Sequence, residues 1–195
     1  MLPNQEKVDP RVRRTRQSIE QAFVELIREK GFQAINVQDL TDRAGINRAT
    51  FYAHFSDKFD LLNQFTRDSF QKEVEKRLLN ACQFSIENLR ELIVVVCEFV
   101  GETHEHCAAS EQQFQSMVAG QVRSQITGLL NHWLESASLI EDARIPPQLA
   151  ATATSWAIYG LATEWSRAKR LPPVEQYADQ VLPLVAANLG LTVHA

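Results

Sequence analysis

Apolar side chains recur every three to four residues along most of this chain, the spacing of helices that bury one face. The pattern predicts a first helix over residues 12–30, with Ile19, Ala22, Phe23, Leu26 and Ile27 inward and Gly31 ending it. Two short helices follow. In the first, Val37, Leu40 and Ala44 point inward, while Gln38, Thr41, Asp42 and Arg43 stay polar. In the second, over 48–55, Phe51 and Phe55 point inward, leaving Arg48, Ala49, Thr50, Ala53 and His54 outward. Leu61, Leu62, Phe65 and Phe70 mark a fourth helix over 57–79. A fifth starts after Ser85, carries Leu89, Leu92, Ile93, Val96, Phe99 and Val100, and ends near the polar stretch 102–106. Ser110 begins a short helix containing Phe114, and a longer one covers 119–138. Pro146-Pro147 and Pro172-Pro173 open the last two helices, since proline suits a first helical turn. Pro183 is expected to kink the final one. The fold class is all-α.

Residues 36–62 carry the most chemistry. Asn36 is a good N-cap, and Asp39 completes a capping-box pattern. Gly45 supplies the positive φ at which a helix stops, Ile46 fills the corner, and Asn47 caps the next helix. Ala44 is small enough for two helices to cross steeply through so short a turn. The second helix then presents Arg48, Thr50, Tyr52 and His54, groups able to meet a phosphate or a base edge. Asp57 can cap a further helix whose first turn carries Lys58, a point charge suited to phosphate. Together these features point to a helix-turn-helix and to DNA.

Gly31-Phe32, Ala44-Gly45-Ile46, Thr50-Phe51-Tyr52 with Phe55, and Lys58 with Leu61-Leu62 resemble the DNA-binding domain of the TetR family of bacterial transcriptional regulators. The close resemblance runs over residues 11–62; the remainder is similar only in length and helical layout. It implies a three-helix DNA-binding head on a helical-bundle body that senses a ligand and dimerises. The expected parts are an arm over 1–10, the head over 11–56 and the body over 57–195. By resemblance, Arg48 reads bases, with Ala49 and Ala53 as small groups near base edges. Thr50, Tyr52, His54 and Lys58 hold phosphates, Gln38 and Thr41 add backbone contacts, and Arg13 and Arg14 reach phosphates or a minor groove. Position 53 departs from the family pattern, which often has a second aromatic beside Tyr52.

Charge changes this picture only in part. The chain has 195 residues and a formal net charge of −4. Residues 1–60 hold 10 Lys and Arg against 9 Asp and Glu, whereas residues 61–195 hold 10 against 15. An acidic body bearing a less acidic head can bind phosphates if the basic groups share one face, and Arg11, Arg13, Arg14 and Arg16 cluster before the first helix. The longest apolar run, 92–97, is far short of the roughly 20 residues of a membrane span. Three cysteines at unrelated spacings suit a reducing cytoplasm better than a disulfide framework.

The helix over 147–169 mixes small residues with Trp156, Tyr159 and Trp165, and is apolar on more than one face. It is therefore either fully buried or shared with a partner. The TetR resemblance implies a homodimer through the last two helices, with Trp156, Tyr159, Gly160, Tyr177 and Val181 at the interface. A two-fold dimer would space two recognition helices for a palindromic double-stranded operator. Repression released by a small-molecule effector is the expectation. Phe99, Phe114, Met117, Trp133 and Trp165 are candidate pocket residues, because large apolar groups dominate such sites. Cys97, His104, His106 and Cys107 are metal-capable, but their spacing matches no standard zinc signature. No metal or cofactor is assigned. No nucleophile elbow, phosphate loop, zinc-protease helix or dinucleotide fingerprint occurs, so the expectation is a non-enzyme. The alternative is a helical enzyme or metal-sensing helical protein without operator binding.

Overall fold

A computed structural model describes residues 9–78, 83–106, 112–137 and 146–190. The elements are α1 (Pro10–Ala34), α2 (Val37–Ala44), α3 (Arg48–Tyr52), α4 (Lys58–Arg77), α5 (Ile86–His106), α6 (Gln112–Ala137), α7 (Pro147–Arg167) and α8 (Val174–Ala187). No strand occurs among the described residues. The all-α class expected from the sequence holds for the described residues. Two compact units, Met1–Phe65 and Thr66–Ala195, divide within α4.

Most of the boundaries follow from local chemistry. Of the arm expected over 1–10, residues 1–8 lie outside the described residues, while Asp9 and Pro10 belong to the first helix end. The Arg11 amide donates to Asp9 Oδ1 at 2.8 Å, and Pro10 takes a first-turn position. Gly31, at φ 76° and ψ 160°, breaks α1 where the sequence expected its end, and one more short turn follows. The Asn88 amide donates to Ser85 Oγ at 3.0 Å, which caps α5. The separate short helix expected around Phe114 does not exist. Gln112 to Ala137 form one helix, because Gly120 alone is a weak breaker within a long apolar repeat. Ser110, expected to begin that short helix, lies outside the described residues.

Unit 1 closes around aromatic rings. Ile19, Phe23 and Leu26 of α1 are buried with Phe32, Ile35, Leu40, Phe51, Phe55, Leu61 and Leu62. Phe23 meets Phe32 and Phe65 edge-on, at centroid separations of 6.1 and 5.8 Å. In unit 2, α5 packs against α7 and α8, and α6 against α7. Residues 92–97 of α5 are buried almost without break, so this helix is central. Ion pairs join its polar edge to both sides: Arg77 to Glu98 at 2.8 Å, and Arg90 to Asp179 at 2.6 Å. Trp133 is fully buried and meets Phe84 edge-on.

The last two helices sort the residues expected at a dimer face. Leu149, Trp156 and Gly160 of α7 and Leu184 of α8 are exposed. Val181 is not available in the same way, being buried in its own unit. Tyr177 is half-buried, and its hydroxyl donates to the Leu161 carbonyl at 2.9 Å. Both face the core because α8 keeps Val174, Ala178, Val181, Leu182 and Val185 on one buried stripe.

Candidate nucleic-acid interface

The candidate surface is built from α2, α3 and their turn. At the start of α2, the Asp39 amide donates to Asn36 Oδ1 at 3.0 Å, and the Asn36 amide donates to Asp39 Oδ2 at 2.8 Å. This reciprocal box satisfies two amides that a helix start leaves open. Lys30 pairs with the same carboxylate at 2.7 Å, and this bond, followed by the Asn36 amide, holds the Asp39 carboxyl below its ordinary range. Gly45 ends α2 at φ 66°, with the Ile46 amide donating to the Thr41 carbonyl at 3.0 Å. Asn47 then caps α3 by accepting from the Thr50 amide at 2.8 Å.

On α3, Phe51 and Phe55 are buried to within 1% and anchor one side of the helix. Arg48, Ala49, Tyr52 and Ala53 are exposed together on the other. Tyr52, half exposed, accepts from Arg48 Nη2 at its hydroxyl at 3.3 Å, so the two polar tips sit side by side. The α-helix stops at Tyr52 rather than Phe55, and Ala53 and His54 form a closing turn with the His54 amide donating to the Phe51 carbonyl at 2.9 Å. Thr50 and His54 are half-buried. The Thr50 hydroxyl donates to Asn47 Oδ1 at 3.0 Å.

Four other residues expected on this surface are placed differently from one another. Arg13 and Arg14 are exposed in the first turns of α1, and Gln38 is exposed on α2, its amide donating to Asp42 Oδ1 at 2.6 Å. Thr41 corrects the reading of α2: it is 2% exposed, and its hydroxyl donates to the Gln38 carbonyl at 3.0 Å, so it cannot meet a phosphate. Its small, self-satisfied side chain fits the core one position beyond Leu40, which widens the buried stripe.

Lys58 needs a correction too. The ammonium is not a solvated point charge, because Nζ donates to the carbonyls of Phe32, Gln33 and Ile35 at 3.2, 3.0 and 2.7 Å. It also lies 4.9 Å from the centre of the Phe32 ring. These carbonyls close the end of α1, where negative partial charge gathers. Lys58 thus ties the first turn of α4 to the end of α1. Other basic groups of the unit are similarly committed. Arg43 is bidentate to Glu29 at 2.7 Å and reaches Glu25 at 3.2 Å, while Arg16 pairs with Glu20 and donates to Gln64. Sequence reading missed the partners of Arg43, since 14- and 18-residue separations leave no local signal.

Residues 19–65 match the sequence profile described as bacterial regulatory proteins, tetR family. Over these residues the chain carries a DNA-binding domain of the tetR type. AcrR of Shigella flexneri, an HTH-type transcriptional regulator, is 26% identical over 182 residues, covering 82% of this chain and 81% of AcrR. YxbF of Bacillus subtilis, an uncharacterized HTH-type transcriptional regulator, is 27% identical over 95 residues, covering 47% of this chain and only 25% of YxbF. A crystal structure of FadR from Bacillus subtilis in complex with stearoyl-CoA has the same fold, with a TM-score of 0.55 at 19% identity over 91% of this chain and 99% of FadR.

In the body, the five residues expected to share a pocket are scattered. Trp133 and Phe114 are core, and Met117 is half-buried. Trp165 donates from Nε1 to the Pro172 carbonyl at 2.8 Å, while Phe99 packs edge-on against Phe70. A cleft of about 340 Å³ opens elsewhere in this unit, between α4 and α6, lined by Phe70, Val74 and Leu129 with Gln71, Glu75, Gln125, Gly128 and His132. Of the metal-capable residues, Cys97 is buried, and burial pushes its thiol up to about 12. His104 Nδ1 meets Ser166 Oγ at 3.0 Å, and burial, then Arg167, lowers its pKa. Cys107 and the side chain of His106 lie outside the described residues. No helix among the described residues is long and apolar enough to cross a membrane.

Proposed function

We propose that this chain is a transcriptional regulator that binds a palindromic operator as a homodimer and is released by a small-molecule effector, most simply as a repressor. One observation carries the reading: Arg48, Ala49, Tyr52 and Ala53 form an exposed face on α3, held from behind by buried Phe51 and Phe55. A helix in the major groove needs this arrangement, with one long donor for base edges and small neighbours that allow close approach. Arg48 is the base reader in this proposal. Tyr52, Thr50 and His54 hold phosphates, Gln38 adds a contact from α2, and Arg13 and Arg14 reach a phosphate or the minor groove. Thr41 and Lys58 position this surface from behind.

The dimer is supported by the exposed apolar face of α7 and α8. Trp156 is 58% exposed and carries the Arg123 guanidinium 3.7 Å from its ring centre, with Tyr159 beside it. Leu149, Gly160 and Leu184 extend that face. Two copies joined there would present paired α3 helices to a two-fold operator. The effector reading rests on the tetR-family match of residues 19–65 and on analogy with the stearoyl-CoA complex of FadR. An effector preferring the conformation that spaces the heads badly must weaken DNA binding, and DNA must weaken the effector equally.

Selection of bound sequences from random DNA, run beside light scattering, tests the proposal. Enriched sequences should be palindromic, with half-sites about one helical turn apart, and the protein should have twice the chain mass. Enrichment without two-fold symmetry would remove the dimer reading, and no enrichment would remove operator binding.

A further inference from the structure

We infer that the cleft between α4 and α6 binds an uncharged, largely apolar molecule bearing a hydrogen-bond acceptor, and discriminates against anions. The inference rests on the effector reading and names its ligand class. The cleft holds about 340 Å³, near the lower end of ordinary ligand pockets, and Phe70, Val74 and Leu129 supply apolar walls. Among the described residues, no lysine or arginine lines it. The carboxylate present, Glu75, accepts from the Gln71 amide at 2.8 Å and would repel a carboxylate or phosphate. His132, the other titratable group of the lining, stands exposed on α6.

The polar anchor is Gln125. Its Nε2 is buried and has no hydrogen-bond partner, a state that native proteins rarely leave uncompensated. The terminal amide turns on a soft torsion, so a rotation directs that hydrogen to an acceptor in the cleft. Three residues on, Gly128 is an exposed part of the lining, and a Cβ placed there would meet nothing within 4 Å. A larger residue at 128 therefore fills the cleft without crowding the protein, and replacing glycine inside a helix favours folding.

Matched naphthalene probes test this by equilibrium dialysis with the full chain: 2-acetylnaphthalene with a carbonyl acceptor, 2-ethylnaphthalene without one, and anionic 2-naphthoate. Wild type should bind the acetyl compound saturably and at least about tenfold more tightly than naphthoate. Gly128→Leu should abolish binding, and Gln125→Leu should erase the preference for acetyl over ethyl. Leu129→Trp narrows the cleft from a second position should Gly128→Leu fold poorly by circular dichroism. Naphthoate binding as well as the ketone, retention of affinity in the filled variants, or no saturable binding to wild type would each overturn the inference. Operator affinity in the same samples addresses the other reading separately. Binding that leaves operator affinity unchanged keeps the ligand class and counts against the effector role.

Discussion

Replacing Lys58 with methionine separates two roles for this residue that predict different numbers. Methionine keeps much of the apolar stem but removes the donors that reach the carbonyls of Phe32, Gln33 and Ile35. Hydrogen bonds involving a charged partner contribute roughly 1.5–3 kcal/mol each. These are not additive for one ammonium, and Lys58 is only half-buried, so solvent recovers part of the loss. Loss of the contact with the Phe32 ring adds about 0.5–1 kcal/mol. A net destabilisation of about 2 kcal/mol follows, which accelerates exchange of the α1–α3 amides by roughly 30-fold where they open together. Native-state hydrogen exchange is the assay of choice, because it reads the amides of residues 9–65 separately from those of the second unit. Operator affinity should fall while its salt dependence stays the same. A phosphate contact would behave otherwise, with the logarithmic salt slope shrinking by about 0.9 per lost phosphate and so by about 1.8 per dimer. Unchanged exchange together with that smaller slope would refute the positioning role.

Three further outcomes are expected. Arg48→Ala should cost about 1–3 kcal/mol per half-site and relax base preference at one position of a selected operator, whereas a uniform loss over all sequences would make Arg48 a backbone contact. Asp60 is held below its ordinary value by Gln64, then by the Ser56 amide, with bonds of 2.8 and 2.9 Å. Its stabilisation is therefore present above the unfolded value near 3.8 and disappears as pH falls through the lower folded value. Asp60→Asn should cost about 1 kcal/mol at pH 7 and nothing once both forms are protonated, and denaturant titrations at the two pH values check this. Cys97 should resist iodoacetamide at pH 8 in the native protein and react after unfolding, as read by peptide mass; rapid native labelling would contradict its burial.

The features visible in the sequence were those set by neighbours a few residues apart. Asn36 with Asp39, Gly45, Asn47, and the Phe51–Phe55 pair all took the local roles that their spacing indicated. Thr41 misled because a hydroxyl can satisfy itself on its own helix and then be buried like an apolar group. Lys58 misled because its partners lie 23 to 26 residues earlier, beyond any periodic signal. Val181 sits on an apolar stripe, but periodicity says only that a stripe is covered, not whether its own chain or a partner covers it. The α4–α6 cleft depends on residues some fifty positions apart.

The internal partners of Arg16, Lys30, Arg43 and Lys58 set how the protein treats DNA that is not its target. Random-sequence affinity comes almost wholly from cations that displace counterions along the backbone. With these four cations held in internal bonds, the non-specific share is smaller than the cation count of the head implies. Discrimination, the ratio of operator to random affinity, then rises without any added base contact. The ion pairs inside the head would thus act on specificity as well as on stability.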